Sequence, residues 1–392
     1  MTYNFDEIIH RENTDCEKYD RREKVFGNAN VLPMWVADMD FRTPDFIIDA
    51  IHERGEHEVL GYTFRNDSYY EAIAGWMKRR HNWDISRKWI SFSPGVVSGI
   101  TMSILSFTSP GDKIIVQPPV YFPFFTCIKG TDREMVENPL ILENGRYRFD
   151  LDDLKKKIDS KTKMLILCNP HNPAGMVWKK EELEALGKIC IENNILLVSD
   201  EIHSDLIYSG NKHIPAASVS KKMEQNTIVC MAPSKTFNVA GLSTSVIIIP
   251  NDTLRRKYSK ILDILHVSLG NIFGNVALEA AYSKGDEWLS QLMKYIEGNY
   301  NYLKTFFSEQ IPSIKVIQPE ATYLVWLDCS KLGMTDEELI NFFTHEAKVG
   351  LSDGLRFGTG GSGFMRLNIG CPRSILVEGL NRIAEALNHR SK

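Results

Sequence analysis

Three short polar motifs carry most of the chemistry legible in the chain. Asn169-Pro-His-Asn172-Pro-Ala-Gly175, Asp200-Glu-Ile-His203 and Ser234-Lys235-Thr236 each follow closely on a short apolar run. Singly, each has an ordinary reading: Asn-Pro pairs mark turns, an aspartate after a strand is often a helix N-cap, and a lysine there is usually a solvated turn residue. Taken together and in this order, they bring an amide, a carboxylate and an amine to the carboxyl ends of neighbouring strands. Open α/β sheets bind their ligands in the crevice at that edge.

The set has a chemical use. A buried amine can form a Schiff base with an aldehyde, a carboxylate can hold a ring nitrogen protonated, and an amide can donate to a phenolate oxygen. Pyridoxal 5′-phosphate offers all three handles, and its pyridinium is an electron sink. The lysine must also move a proton, which burial and a neighbouring cation allow by lowering its pKa. A phosphate handle is visible in Ser93-Pro-Gly-Val-Val97, ahead of a helix whose Val97, Ile100, Ile104 and Phe107 share a face. A tight glycine turn at a helix start presents free N–H groups and the positive dipole end. Alone, it reads equally well as a turn into a core helix.

Other motifs fall away. Gly358-Thr-Gly360-Gly-Ser-Gly363 matches G-x-G-x-x-G by letters, but Phe364 to Ile369 after it reads as a strand, and Leu380 stands where an acidic residue is needed. It is read as a flexible turn. The seven cysteines, at 16, 127, 168, 190, 230, 329 and 371, contain no C-x-x-C and lie at least 22 residues apart. Neither a disulfide framework nor a zinc site fits, no metal is expected, and Cys168 and Cys230 read as small core residues.

The elements that must position these groups alternate. Ile114–Val116, Met164–Cys168, Ile195–Val198, Thr227–Met231 and Ser245–Ile249 are continuous, β-branched runs, the pattern of strands covered on both faces. Glu181 to Asn194 has helical spacing at Leu183, Leu186 and Cys190. The expected fold is therefore α/β, with a mostly parallel, doubly wound sheet. After about Ser283 the pattern turns to long helices, Glu287–Glu309 and Ser374–Asn388, with strands at Ile314–Ile317 and Tyr323–Leu327 and a capping box at Thr335-Asp-Glu-Glu338. This predicts a large domain over 49–284 and a smaller α+β domain formed by 1–48 and 285–392.

Composition narrows the class. Among 392 residues, 46 Lys+Arg against 50 Asp+Glu leave a charge of −4, with no basic excess for a nucleic-acid backbone. Hydrophobic residues at 43% suffice for one large core or two and exclude disorder. Met1 to Asp15 is polar and acidic, without a secretory pattern, so a cytoplasmic protein is expected. Trp89 to Gly111 is uncharged, but Pro94, Gly95, Gly99 and six serines make it a poor membrane helix, and no membrane partner is expected.

Asn169 to Gly175, Asp200 to His203, Ser234-Lys-Thr-Phe-Asn238 and Arg366-Leu-Asn368 resemble fold-type I pyridoxal-phosphate enzymes of the aspartate-aminotransferase superfamily, over nearly the whole chain. Pro33-Met-Trp-Val-Ala-Asp-Met-Asp-Phe41, Ser93 to Val97 and the Asp-Glu-Ile-His form are similar to the MalY/PatB-type cystathionine β-lyases, or C–S lyases. The resemblance implies that Lys235 binds the cofactor aldehyde, Asp200 pairs with the pyridine nitrogen, Asn172 donates to the ring oxygen and Tyr121 stacks on the ring. Gly95, Val96 and Val97 would hold the phosphate through backbone N–H groups, with hydroxyls such as Ser234 assisting. Tyr62 matches a tyrosine that reaches a neighbouring subunit's cofactor, implying a homodimer with shared active sites. Arg366 matches the arginine that grips a substrate α-carboxylate, aided by backbone near Val36-Ala37. A planar guanidinium suits that task, and the motif context separates Arg366 from Arg373.

Two positions depart from the aminotransferase pattern. His203 stands where many transaminases carry tyrosine, which suits the lyase branch and keeps it beside the cofactor. Ser243 stands where an arginine often meets the phosphate. The implied activity is α,β-elimination from cystathionine or another S-substituted cysteine, giving thiol, pyruvate and ammonia, with Lys235, Asp200 and Tyr62 the catalytic set. An aminotransferase on the same residues is the alternative. A binding or regulatory protein that retains the fold is less consistent with an intact Lys235, Asp200 and Asn172.

Overall fold

The computed structural model describes residues 2–390. Seven strands form its central sheet: β1 Ile90–Ser93, β2 Lys113–Val116, β3 Glu134–Glu137, β4 Thr162–Cys168, β5 Leu196–Asp200, β6 Thr227–Met231 and β7 Ser245–Ile248. Across the sheet their order is β1-β7-β6-β5-β4-β2-β3. The pairs β3/β2, β2/β4, β4/β5 and β5/β6 are parallel. The last run departs from the expected direction, because β7 is antiparallel to both β6 and β1. A continuous apolar run specifies burial on both faces but not direction, so the sequence pattern fits either arrangement.

Both faces are covered. Met164, Ile166 and Cys168 of β4 pack with Val96, Ile100 and Ile104 of the helix Val96–Phe107, whereas Leu165 and Leu167 pack with Leu183, Leu186 and Cys190 of the helix Lys180–Glu192. The alternation is the period of two in a strand, read out as two hydrophobic layers. The chain builds outward from β2 to β3, then returns to lay β4, β5 and β6 on the other side of β2. That reversal opens a crevice at the carboxyl ends of β2 and β4.

A second, antiparallel sheet contains β8 Lys315–Val316, β9 Leu324–Asp328, β10 Ser352–Asp353 and β11 Phe364–Asn368, in the order β8-β9-β11-β10. The helices Asp286–Gln310 and Arg373–Arg390 pack with it, and the N-terminal Leu32–Pro33 pairs in parallel with Val349–Gly350. Thr335 caps its helix as the sequence predicts, accepting from the Glu338 N–H. Of the expected small domain over 1–48 and 285–392, Met1, Ser391 and Lys392 lie outside the described residues. One hydrophobic cluster joins Val229 and Met231 of β6 to Leu324 and Val325 of β9, so a shared core ties the two sheets together. The glycine-rich 358–363 segment is a turn entering β11, with Gly358, Gly360 and Gly363 at φ 85°, 86° and 77°. Among the described residues no helix is long and apolar enough to cross a membrane.

Gly175 fastens the Asn169–Gly175 loop to the second sheet. Its carbonyl accepts from the N–H groups of Glu320 and Ala321 at 2.7 and 2.8 Å, and its φ is +67°. A Cβ there would stand 2.8 Å from the Ala321 carbonyl oxygen. Gly175→Ala is therefore expected to lower unfolding stability by about 1–3 kcal/mol, measured by urea denaturation. An unchanged midpoint would show that the loop relaxes freely.

Candidate active site

The sheet topology places the sequence motifs at one edge. Asp200 ends β5, Asn172 lies in the loop after β4, and Lys235 sits in the helical turn Pro233–Thr236 after β6. With Tyr121, His203, Ser234, Gly95, Val96, Val97 and Ala37 they line one cavity of about 180 Å³. Arg366 does not line it but stands directly behind Asn172, donating from Nη1 to Asn172 Oδ1 at 3.1 Å. The Val36 carbonyl is turned away to accept from Asn368 at 2.6 Å. Tyr62 lies apart, 97% exposed, in a groove that shares Pro94 and Ser243 with the cavity.

The site is buried and its charges are perturbed accordingly. Burial pushes the Asp200 carboxyl up to about 7, against a hydrogen bond from the Ile202 N–H and the pull of Lys235. Burial likewise lowers the Lys235 amine, opposed by Asp38, and Arg366 adds to the lowering. The Lys235 amine donates to the Ala37 carbonyl at 2.7 Å. Burial takes the His203 imidazole down to about 3, with the charges of Lys235 and Arg366 adding to it, and among the described residues its Nδ1 has no partner. Arg366 is 3% exposed and donates to Trp35 O at 2.7 Å and Ser352 Oγ at 3.2 Å. No carboxylate pairs with it among the described residues. A buried guanidinium held by neutral acceptors alone is costly, and an anionic ligand relieves the cost.

A second set of groups holds the lysine turn. Asp205, fully buried, takes hydrogen bonds from Trp76 Nε1 at 3.0 Å and Thr236 Oγ1 at 2.9 Å, with His81 Nε2 at 3.0 Å. Thr236 follows Lys235 directly, so the network fixes the backbone that aims the amine. Asp205, Trp76 and His81 carry no local sequence signal, since the pairs span 31, 129 and 124 positions.

These residues fit pyridoxal 5′-phosphate on several counts. At one end of the cavity the helix Val96–Phe107 begins at Gly95 with no side-chain cap, and nothing lies within 4 Å of where a Gly95 Cβ would stand. Uncapped N–H groups beside open space suit a phosphate. At the other end stands the buried carboxyl of Asp200, which a protonated ring nitrogen would complement. Between them lie the amine of Lys235 and the ring of Tyr121. Among the described residues the only lysine or arginine lining the cavity is Lys235. Ser98, Ser234, Ser243 and Thr244 supply hydroxyls around the helix end, and of these Ser98 and Thr244 were not singled out in the sequence. Among the described residues no cluster could hold a metal ion.

The family model for class I and II aminotransferases matches residues 29–383. The chain belongs to the class I and II aminotransferase family. Within this family it is 46% identical to cystathionine beta-lyase PatB of Bacillus subtilis (strain 168), over 98% of this chain and 100% of the relative. A PLP-bound putative aminotransferase from Clostridium difficile 630 shares 46% identity at a TM-score of 0.97, over 99% of this chain and 100% of that one. Cystalysin from Treponema denticola, whose structure contains pyridoxal 5′-phosphate, shares 38% identity at a TM-score of 0.96, with both chains fully covered.

Asp200 offers a test of the electrostatics without any reaction. Its folded pKa of about 7 lies above the value of about 3.9 for a free aspartate. Between those limits the folded protein keeps a proton that the unfolded chain releases, so Asp200 costs stability as pH rises from about 4 to about 7. In ligand-free protein, Asp200→Asn is expected to match wild type at pH 3 and exceed it by a few kcal/mol at pH 8, read by urea unfolding across pH. A constant difference at all pH values would contradict the burial of a titrating carboxyl.

Proposed function

We propose that this protein is a pyridoxal-phosphate-dependent carbon–sulfur lyase that releases a thiol from cystathionine or another S-substituted cysteine. The observation that carries the reading is the full-length kinship with a cystathionine β-lyase, joined to a cavity with the lysine, aspartate and asparagine such chemistry needs. Bound pyridoxal phosphate supplies an electron sink for charge developing at the substrate Cα. Lys235, Asp200, Asn172, Tyr121, His203, Ser234 and the N–H groups of Gly95, Val96 and Val97 would hold it.

The chain's own groups do the rest. Arg366 takes the α-carboxylate in a two-point fork, assisted by the backbone at Val36-Ala37, and this fixes the direction of the Cα–H bond. Lys235, whose proton affinity burial lowers, accepts the Cα proton as general base. Asp200 would hold the ring-nitrogen proton, and Asn172, whose Oδ1 accepts from Arg366, would direct its side-chain N–H groups to the ring oxygen. The electron pair left at Cα moves into the Cα–Cβ bond as the Cβ–S bond breaks, and the thiolate departs.

An aminotransferase would use the same residues, and one close structural relative carries that name. The partition turns on barrier differences of a few kcal/mol, where about 1.4 kcal/mol is tenfold in rate. Incubation with cystathionine and no keto acid is expected to release pyruvate and free thiol. The purified protein should show a visible absorbance band that Lys235→Ala abolishes along with turnover. Turnover only with an added keto acid, and no pyruvate, would favour the aminotransferase.

The proposal includes a homodimer. Leu60, Tyr62 and Leu269 line an apolar groove beside the cavity, and Phe64 nearby is 80% exposed. Exposed apolar area of this kind marks an interface, and two-fold closure is the simplest way to bury it. Tyr62 of the partner subunit would then complete each site. Sedimentation is expected to give a dimer, with Tyr62→Phe weakening cofactor retention; a fully active monomer would overturn it. The seven unpaired cysteines suit a reducing compartment, and we place the enzyme in the cytoplasm.

A further inference from the structure

A second pocket, which the proposed reaction does not use, opens where the end of the helix Asp67–His81, the start of the helix Asp286–Gln310 and the 204–213 loop meet. Its volume is about 730 Å³, the scale of a small-molecule site, and it shares no lining residue with the lysine cavity or with the apolar groove at Tyr62. Its lining carries more positive charge than it cancels. Arg79, Arg80, Lys212 and Lys294 stand against two carboxylates, Asp205 and Glu297. Both carboxylates are engaged elsewhere: Asp205 by Trp76, Thr236 and His81, and Glu297 by the Ser209 hydroxyl, which lies 2.9 Å from each of its oxygens. Outside the lining, Asp286 serves both arginines, Arg79 at 3.3 Å and Arg80 at 3.9 Å. Lys212 and Lys294 pair with no carboxylate among the described residues.

Two buried polar groups of the lining are also left open. Tyr208 is 6% exposed, and its hydroxyl has no partner among the described residues. Burial, beside Tyr300 and Glu297, keeps that phenol protonated, so it is a donor without an acceptor. Its backbone is fixed, with the N–H donating to Glu320 O at 3.0 Å and the carbonyl accepting from the Asn211 N–H at 3.1 Å. His213 gives one ring edge to Glu201, with Nε2 at 2.7 Å, and its Nδ1 is likewise unpartnered among the described residues. An unpaired buried donor carries its full desolvation cost, and a ligand oxygen relieves it.

We propose that this pocket binds a small molecule carrying two or more phosphate groups. Four cations around one concavity exceed what a single anionic group needs, guanidinium forks match phosphate oxygens, and Lys212 and Lys294 add charge from exposed positions. The Tyr208 hydroxyl adds a neutral donor from a buried position. Nothing in this site depends on what the lysine cavity binds.

The test is calorimetric titration of the full chain carrying stoichiometric pyridoxal phosphate, with pyrophosphate, adenosine diphosphate and succinate as separate ligands. Each phosphate ligand is expected to bind once per chain, and succinate at least about tenfold more weakly. Tighter binding of adenosine diphosphate identifies a nucleotide as the source of the phosphates, and equal binding identifies the phosphate chain alone. Replacing both exposed lysines, Lys212→Ala with Lys294→Ala, should weaken pyrophosphate binding by about tenfold or more. Tyr208→Phe removes only the hydroxyl. It should weaken binding by about tenfold and leave the urea midpoint of the ligand-free protein unchanged or raised, because an unpaired buried group is lost. The lysine pair carries the comparison if Tyr208→Phe does not fold. Absence of saturable pyrophosphate binding overturns the proposal, as does equal affinity for succinate or wild-type affinity in both variants. Loss of a visible cofactor band during the titration would mark displacement at the lysine cavity and overturn it as well.

Discussion

The two sheets meet on a stretch of irregular backbone, Met34 to Asp40, and the site exists because that stretch has to be satisfied. Its carbonyls lie in the interior, where an unpaired acceptor costs as much as a lost hydrogen bond. From the side of the large sheet, Lys235 donates to Ala37 O at 2.7 Å and Asn238 to Met39 O at 2.9 Å. From the second sheet, Arg366 donates to Trp35 O at 2.7 Å, and Asn368 to Val36 O at 2.6 Å and Asp38 O at 2.7 Å. Tyr323 adds a bond to Ala37 O at 2.9 Å. Residues that read as chemistry thus also join the two halves, and the stretch can shift only if both sheets exchange partners.

Charge is concentrated around the same stretch. Lys18, 1% exposed at its side chain, pairs with Asp40 at 2.7 Å, and Arg11 bridges Asp38 and Asp40 at 2.7 Å each. These buried and half-buried ions are compensated locally. Arg366 differs, since its partners are neutral oxygens and the ring of Phe357 at 5.1 Å. A buried pair is structural by default, and a buried cation without an anion is an open binding requirement. The near-balance of the whole chain conceals this contrast, because formal charge counts residues and not their partners.

The sequence exposed those parts of the site that local pattern enforces. A motif at the end of an apolar run must emerge at a sheet edge, so Asn172, Asp200 and Lys235 could be brought together before any coordinates. Arg366 and Arg373 were separable by motif, and the structure gives the physical reason. Arg366 lies inside β11, whereas Arg373 donates to Asn299 Oδ1 at 2.6 Å and covers Tyr302. The antiparallel β7 was hidden because burial pattern carries no direction. The edge strand Glu134–Glu137 was hidden because its ends are charged, and the π-helical turn Phe342–Glu346 extends an α-helical spacing without breaking it. Asp205, Glu201 and His213 were hidden for another reason: a buried ionisable residue announces itself only through partners folded onto it from elsewhere.

That last group decides how the family's shared constellation can support different outcomes. Lyase and transaminase chemistry begin alike, with an amine, a carboxylate against the ring nitrogen, and an arginine on the substrate. A difference of a few kcal/mol between two exits from one charge-rich state does not need new groups in contact with the substrate. A change in the potential those groups experience is enough. Asp205 is shared among three donors from two helices, and Asp38 and Asp40 are paired with cations. Glu201 accepts from Ser199 Oγ and the Ala216 N–H and lies against His213 Nε2. The cavity therefore has the buried carboxyl of Asp200 on one side and, behind Asn172, the guanidinium of Arg366 held by neutral oxygens, a placement that matches the ring nitrogen and the amino-acid carboxylate they are proposed to hold.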